Sequence, residues 1–119
     1  MKIGEKEYPA KLKLLAVKEY KKLTGKDLIS EVALYEIFGG EKDGVKYSFD
    51  VDLLAAFLFS VLRNGDPNGF TMSMDEMCAQ VDISGGSLVK ELGDIWVEGF
   101  TGLSSEEIKN RIAPKEGQS

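Results

Sequence analysis

The fold is decided by Asp50-Val51-Asp52-Leu53-Leu54-Ala55-Ala56-Phe57-Leu58-Phe59-Ser60-Val61-Leu62-Arg63, because no other part of the 119-residue chain is so continuously apolar. Acidic residues open this stretch and Arg63 closes it, so the charges at both ends complement the dipole of a helix. Nearly every position between them is apolar, which leaves the helix without a polar face. We therefore expect a helix that forms the centre of a core or gives one side to a partner.

The residues before this stretch predict a short hairpin and a lysine-rich helix. Residues 1–3 and Glu7-Tyr8 flank Gly4, whose backbone freedom suits a turn. The helix has apolar residues at helical spacing and ends at Gly25. Its start stays open, because Lys11-Leu12-Lys13-Leu14 also alternates as a strand does. The apolar residues of the helix are Leu12, Leu15, Ala16, Tyr20 and Leu23.

Further helices are expected on both sides of the central stretch. Asp27 is a predicted N-cap for a helix through Ile37, followed by a polar turn at 41–44 and a short extended stretch at 45–49. A loop at 64–69 precedes a capping box, Ser73-x-x-Glu76, and residues 88–100 form a helical stripe. A second capping box begins at Ser104. The sequence thus predicts a mainly α, single compact domain over residues 1–113, with about five or six helices and a small N-terminal β-hairpin, and a flexible tail at 114–119.

The composition excludes several kinds of enzyme. Histidine is absent and there is one cysteine, which excludes His-dependent triads, His-ligated zinc, Cys₄ zinc and internal disulfides. Carboxylates such as Asp75 and Glu76 are adjacent on a helix and do not face one substrate. We therefore expect no catalytic residues and no cofactor.

The net charge of −5 conceals an uneven distribution. Residues 1–26 hold eight lysines and three glutamates, a net charge of +5, whereas the remaining residues carry −10. Opposite charges can attract within the fold or between subunits, so self-association is a hypothesis, beside the simpler interpretation of solvated surfaces. The acidic total predicts no nucleic-acid partner. A small regulatory or DNA-binding helical protein stays an alternative, although the basic residues 13–26 lack Arg and Asn for base edges.

The chain shows no sign of export or of membrane insertion. No apolar segment follows Met1, and the longest apolar run, residues 53–59, is far too short to span a bilayer. A lone Cys78 suits a reducing compartment. We therefore expect a cytoplasmic protein with no membrane partner.

The loop after the central helix partly matches a calcium-binding EF-hand. The candidate ligands are Asn64, Asp66, Asn68 and Asp75. Asn at the first position lacks charge, Pro67 interrupts the loop, and the aspartate at the twelfth position is short for bidentate binding. The pattern favours a polar turn without a metal, and a calcium-responsive helix-loop-helix module is kept as an alternative.

Residues 1–83 resemble a phage protein family in the order of their segments. The matching segments are Met-Lys-Ile-Gly-Glu-Lys-Glu-Tyr at 1–8, Leu-Thr-Gly-Lys-Asp-Leu at 23–28, the apolar helix at 53–62, Phe-Thr-Met-Ser-Met-Asp-Glu-Met at 70–77 and Val81-Asp82. This sequence resembles the tail assembly chaperones of long-tailed, siphovirus-type phages and prophages of Gram-positive bacteria.

The resemblance implies a small, mostly helical, non-enzymatic protein of the bacterial host cytoplasm that is absent from the mature virion. Members of this family bind the tape measure protein, a very long helical chain, keep it soluble and help to recruit the major tail protein. A programmed frameshift often produces a longer form, with which the polar end at 113–119 is compatible.

A chaperone of a long helix needs an apolar surface, and two helices are candidates for it. They are the apolar helix at 53–62 and the stripe at 88–100, although both also fit a plain core. The candidate partner-binding residues are Leu54, Phe57, Leu58, Val61, Leu92 and Trp96.

Overall fold

The structure is a computed structural model that describes residues 1–83 and 86–101. These residues form five helices and two antiparallel hairpins of two strands each. The helices are α1 (Leu14–Thr24), α2 (Ala33–Phe38), α3 (Val51–Gly65), α4 (Met74–Cys78) and α5 (Ser87–Thr101). The strands are β1 (Lys2–Ile3), β2 (Lys6–Glu7), β3 (Gly40–Lys42) and β4 (Val45–Tyr47). The mainly α fold with a small N-terminal hairpin is confirmed.

The chain divides into two compact units, Met1–Asp82 and Ile83–Ser119. The first contains both hairpins and helices α1 to α4, and α5 is the described helix of the second. The division falls inside the domain predicted over residues 1–113. The short helix expected to begin at Ser104 and the tail at 114–119 lie outside the described residues.

Helix α3 supplies the core of the first unit, as its apolar sequence predicts. Asp50 is the N-cap, and its Oδ1 accepts a hydrogen bond of 3.1 Å from the backbone N–H of Leu53. The helix packs against α1, α2 and α4. The hydroxyl of Ser60 lies in this apolar surrounding and donates to the carbonyl of Ala56 at 2.7 Å, so this buried hydroxyl is satisfied. The buried residues of α3 are Leu54, Ala56, Phe57, Leu58, Ser60, Val61 and Leu62.

Helix α1 begins at Leu14, which settles the start that the sequence left open. Leu12 precedes the helix and is buried, while Ala16 and Tyr20 form the buried side of the helix itself. Gly25 ends the helix in the left-handed conformation at φ 74°, which costs glycine little because it has no Cβ. The predicted end is therefore confirmed.

Helix α2 is shorter than the sequence predicts, and Asp27 is not its N-cap. The helix starts at Ala33, and residues 28–32 form bends instead. The hydroxyl of Ser30 accepts from the N–H of Val32 at 3.2 Å, a local bond that competes with helix formation. The carboxylate of Asp27 accepts from Lys21 Nζ at 3.4 Å.

A second hairpin joins β3 to β4, where the sequence predicts only a turn and an extended stretch. The strands pair Gly40 with Tyr47 and Lys42 with Val45. The turn residues Asp43 and Gly44 both have positive φ, 52° and 80°, which matches the right-handed twist of a hairpin. Asp-Gly is the sequence signal for such a turn, but the pairing partner at 40–42 has no apolar alternation to reveal it.

Helix α4 begins where the sequence predicts, and α5 covers the predicted stripe. The predicted capping box is present, because Ser73 Oγ accepts from the N–H of Glu76 and Glu76 Oε1 accepts from the N–H of Ser73. Helix α4 ends at Cys78, although the apolar residues Val81 and Ile83 continue the sequence pattern beyond it. Helix α5 runs through Gly93 without a break.

The phenol of Tyr20 is held neutral by its surroundings. Its side chain is buried in the first unit, and the carboxylates of Glu36 and Asp50 lie near enough to oppose a further negative charge. Burial first, and these carboxylates second, raise the pKa of Tyr20 to about 12.

We predict that this phenol lowers stability in alkaline solution. The unfolded chain releases the Tyr20 proton near about pH 10, whereas the folded chain holds it to about pH 12. The free energy of unfolding therefore falls as pH rises through that window. In urea unfolding, the free energy of unfolding of Tyr20→Phe should fall less steeply with pH than that of the wild type. Tyr47→Phe is the control and should keep the wild-type slope. An equal slope in the wild type and Tyr20→Phe would contradict the prediction.

Candidate functional site

Four of the predicted partner-binding residues lie in the core of the first unit. The side chains of Leu54, Phe57, Leu58 and Val61 are between 0 and 4% exposed. The ring of Phe57 meets the ring of Phe38 edge to face at a centroid distance of 6.3 Å. A partner in solution reaches these four side chains only if the helices around α3 separate.

The other two predicted residues lie on α5, one buried and one partly exposed. Leu92 is fully buried, whereas Trp96 keeps part of its surface in solvent. The rings of Trp96 and Phe100 lie 4.9 Å apart and are tilted by 43°, so the two side chains form one aromatic surface.

Two further residues lie on the same side of α5 as this aromatic pair. Val89, Gly93, Trp96 and Phe100 are spaced by four, three and four residues, which places them on one side of a helix. Val89 is 39% exposed and Phe100 is 45% exposed. Among residues 1–83 and 86–101, no atom lies within 4 Å of a Cβ atom built on Gly93, so the row has an open notch near its middle. We call these four residues the α5 strip.

Trp96 is the one residue of the α5 strip that the sequence predicted to bind a partner. The stripe at 88–100 contains two rows, one along Leu88 and Leu92 that is buried and one along Val89 and Phe100 that is exposed. Both rows are apolar and both have helical spacing, so the pattern alone does not tell them apart. The signal available in the sequence was the aromatic pair at positions 96 and 100, one turn apart.

A second exposed surface lies at the beginning of α1. The buried Leu12 forces its neighbours Lys11 and Lys13 outward, and both are exposed. Leu14 is 70% exposed and lies one helical turn from the exposed Lys18. Leu15 also reaches solvent. The exposed residues of this region form what we call the α1 lysine–leucine surface: Lys11, Lys13, Leu14, Leu15 and Lys18.

Asn64 was predicted to open the EF-hand-like loop at 64–69, but it lies in the last turn of α3, and two of the four candidate ligands serve the fold. Asn64 Oδ1 accepts from the backbone N–H groups of Lys13, at 2.8 Å, and of Ala16, at 3.1 Å, and so caps α1 from a distant part of the chain. Asp66 Oδ1 accepts from the N–H of Gly69 at 2.9 Å. Asn68 is exposed in the loop, and Asp75 lies in the first turn of α4. Two of the four candidate ligands therefore already serve as hydrogen-bond acceptors.

The described residues contain neither a cluster of metal ligands nor a helix able to span a membrane. Residues 1–83 and 86–101 contain no group of three His, Cys, Asp or Glu side chains that could hold a metal ion. None of the helices in these ranges combines the length and the apolar character that crossing a bilayer requires.

The comparisons with known proteins identify no relative. The chain matches no protein-family model, no curated protein and no solved structure.

We predict that the Asn64 cap stabilises the first unit. Asn64→Ala removes the acceptor for two N–H groups at the start of α1 and should lower the free energy of unfolding by about 1–2 kcal/mol. Asn64→Asp keeps the oxygen and should preserve stability. Urea unfolding measures the effect, and Asn68→Ala in the loop after α3 is the control, expected within about 0.5 kcal/mol of the wild type. Equal stabilities of Asn64→Ala and Asn68→Ala would refute the cap.

Proposed function

We propose that this protein is a non-enzymatic tail assembly chaperone of a siphovirus-type phage or prophage. In this role it binds the tape measure protein in the cytoplasm of the bacterial host and helps to recruit the major tail protein around it. The ordered resemblance over residues 1–83 supports the family, and the α5 strip is the single observation that carries a binding role.

The α5 strip has the features of a helix-binding surface. An amphipathic helix buries its apolar side against another helix when the side chains of one fit between those of the other. Trp96 and Phe100 offer large apolar anchors of the kind that dominate binding energies. The notch at Gly93 leaves room for a side chain of the partner between Val89 and the aromatic pair.

The proposed partner presents the matching surface. A tape measure protein is a very long helix, and its apolar residues promote aggregation until the tail forms around them. Covering these residues with the α5 strip removes apolar surface from water on both sides, which favours binding. The strip offers this contact without unfolding of the first unit, whose α3 side chains stay in the core.

The test is coexpression with the product of a candidate tape measure gene. We expect the wild-type protein to raise the soluble fraction of that product. Phe100→Ala and Trp96→Ala should each weaken binding by about tenfold or more, because aromatic anchors commonly contribute about 2 kcal/mol. Sedimentation of the lysate and affinity measurements on the purified pair give the two readouts.

The chain offers a closely matched control for this experiment. Phe49 is 46% exposed against 45% for Phe100, but it precedes α3 and is not part of the α5 strip. Phe49→Ala should therefore leave both readouts at the wild-type level. If Phe49→Ala and Phe100→Ala lose binding equally, the α5 strip is not the site. If the wild-type protein does not improve solubility, the chaperone function itself is wrong.

A further inference from the structure

Six of the eight lysines in residues 1–26 form two groups that the sequence does not distinguish. Three of them have acidic neighbours: the Nζ atoms of Lys21, Lys22 and Lys26 lie 3.4, 3.9 and 3.0 Å from carboxylate oxygens. Within residues 1–83 and 86–101, no ion pair involves Lys11, Lys13 or Lys18. The positive charge of the α1 lysine–leucine surface is therefore not neutralised by the described part of the chain.

The fold gains little from these charges. The first turn of α1 contains no acidic residue, so Lys11 and Lys13 stand near the positive end of the helix dipole, where cations are unfavourable. Leu14 is 70% exposed and adds nothing to the core. Unpaired lysines beside an exposed leucine are what a surface needs when it receives an acidic partner with apolar side chains.

We infer that the α1 lysine–leucine surface binds an acidic amphipathic helix of a partner protein. Leu14 and Leu15 pack against the apolar side of that helix. Lys11, Lys13 and Lys18 pair with the aspartates and glutamates that flank it. This surface is separate in sequence from the α5 strip, and the inference holds whether or not the partner is a tape measure protein.

Charge and side-chain chemistry favour a protein partner over a nucleic acid or a membrane. Residues 11–26 contain lysine but no Arg, Asn or Gln, the side chains that most often read bases or grip phosphates bidentately. Leu14 and Leu15 make no favourable contact with a phosphate backbone. The remaining residues carry a charge of −10, which repels a long polyanion or an anionic bilayer more than a single short helix.

The test uses two synthetic helical peptides labelled with a fluorophore. Each has about 20 residues with leucine at helical spacing. The other positions are glutamate in one peptide and lysine in the second, which is otherwise identical. Fluorescence anisotropy with the full chain, at about 50 mM salt, should show binding of the glutamate peptide but not of the lysine peptide. Higher salt should weaken the binding.

Two variants and a matched control locate the site. Lys13→Gln/Lys18→Gln and Leu14→Gln should each weaken binding of the glutamate peptide by about tenfold or more. Lys2→Gln/Lys46→Gln removes the same charge from exposed positions on the two hairpins and should stay within about twofold of the wild type. Circular dichroism confirms that each variant is folded.

Several results would overturn the inference. They are an absence of binding to the glutamate peptide, an equal loss in the control pair, and tighter binding to duplex DNA or to vesicles of phosphatidylcholine and phosphatidylglycerol. A dimer of the wild type that Lys13→Gln/Lys18→Gln dissociates in analytical ultracentrifugation would also overturn it, because the surface would then contact a second copy of the chain. Failure of the peptide test leaves the coexpression test of the α5 strip unaffected.

Discussion

Burial of a helix that has no polar face is the constraint on which the first unit depends. Helix α3 must be covered on most of its circumference, and α1, α2 and α4 all pack against it. Aromatic contacts join residues before and after α3 to this core. The ring centroid of Phe70 lies 5.3 Å from that of Tyr8, which follows the N-terminal hairpin, and 5.6 Å from that of Phe59 on α3. Because these contacts bury Leu54, Phe57, Leu58 and Val61, a surface that binds a partner has to be built from other side chains.

Local signals in the sequence predict helix ends well and longer-range pairing poorly. The Asp50 cap, the Ser73 capping box and the Gly25 terminus depend on residues within one turn of one another, and all three are present. The predicted start of α2 after Asp27 was wrong, because the helix begins at Ala33. The Ser30 hydroxyl accepts a hydrogen bond from the backbone N–H of Val32, which competes with helix formation. Strand β3 was missed because Gly-Glu-Lys has no apolar alternation and is ordered by its partner strand.

The candidate sites were harder to predict than the fold, for the same physical reason. Helical spacing shows that a side chain has an apolar neighbour, but only the packed structure shows whether solvent remains on the other side. Leu92 and Phe100 belong to one stripe, yet Leu92 is buried and Phe100 is half exposed. The basic charge of residues 1–26 was visible in the sequence, but which lysines lack an acidic neighbour depends on three-dimensional contacts.

The side chain of Asn64 ties the order of folding to the order of synthesis. Asn64 caps the first turn of α1, although it lies 51 residues after Lys13 and 48 residues after Ala16. This turn therefore lacks its cap until α3 is in place. A chain growing on the ribosome exposes the lysine-rich segment well before Asn64 emerges. Helix α1 therefore gains this cap late despite its early position, because bringing Asn64 to it requires closing a long loop at an entropic cost.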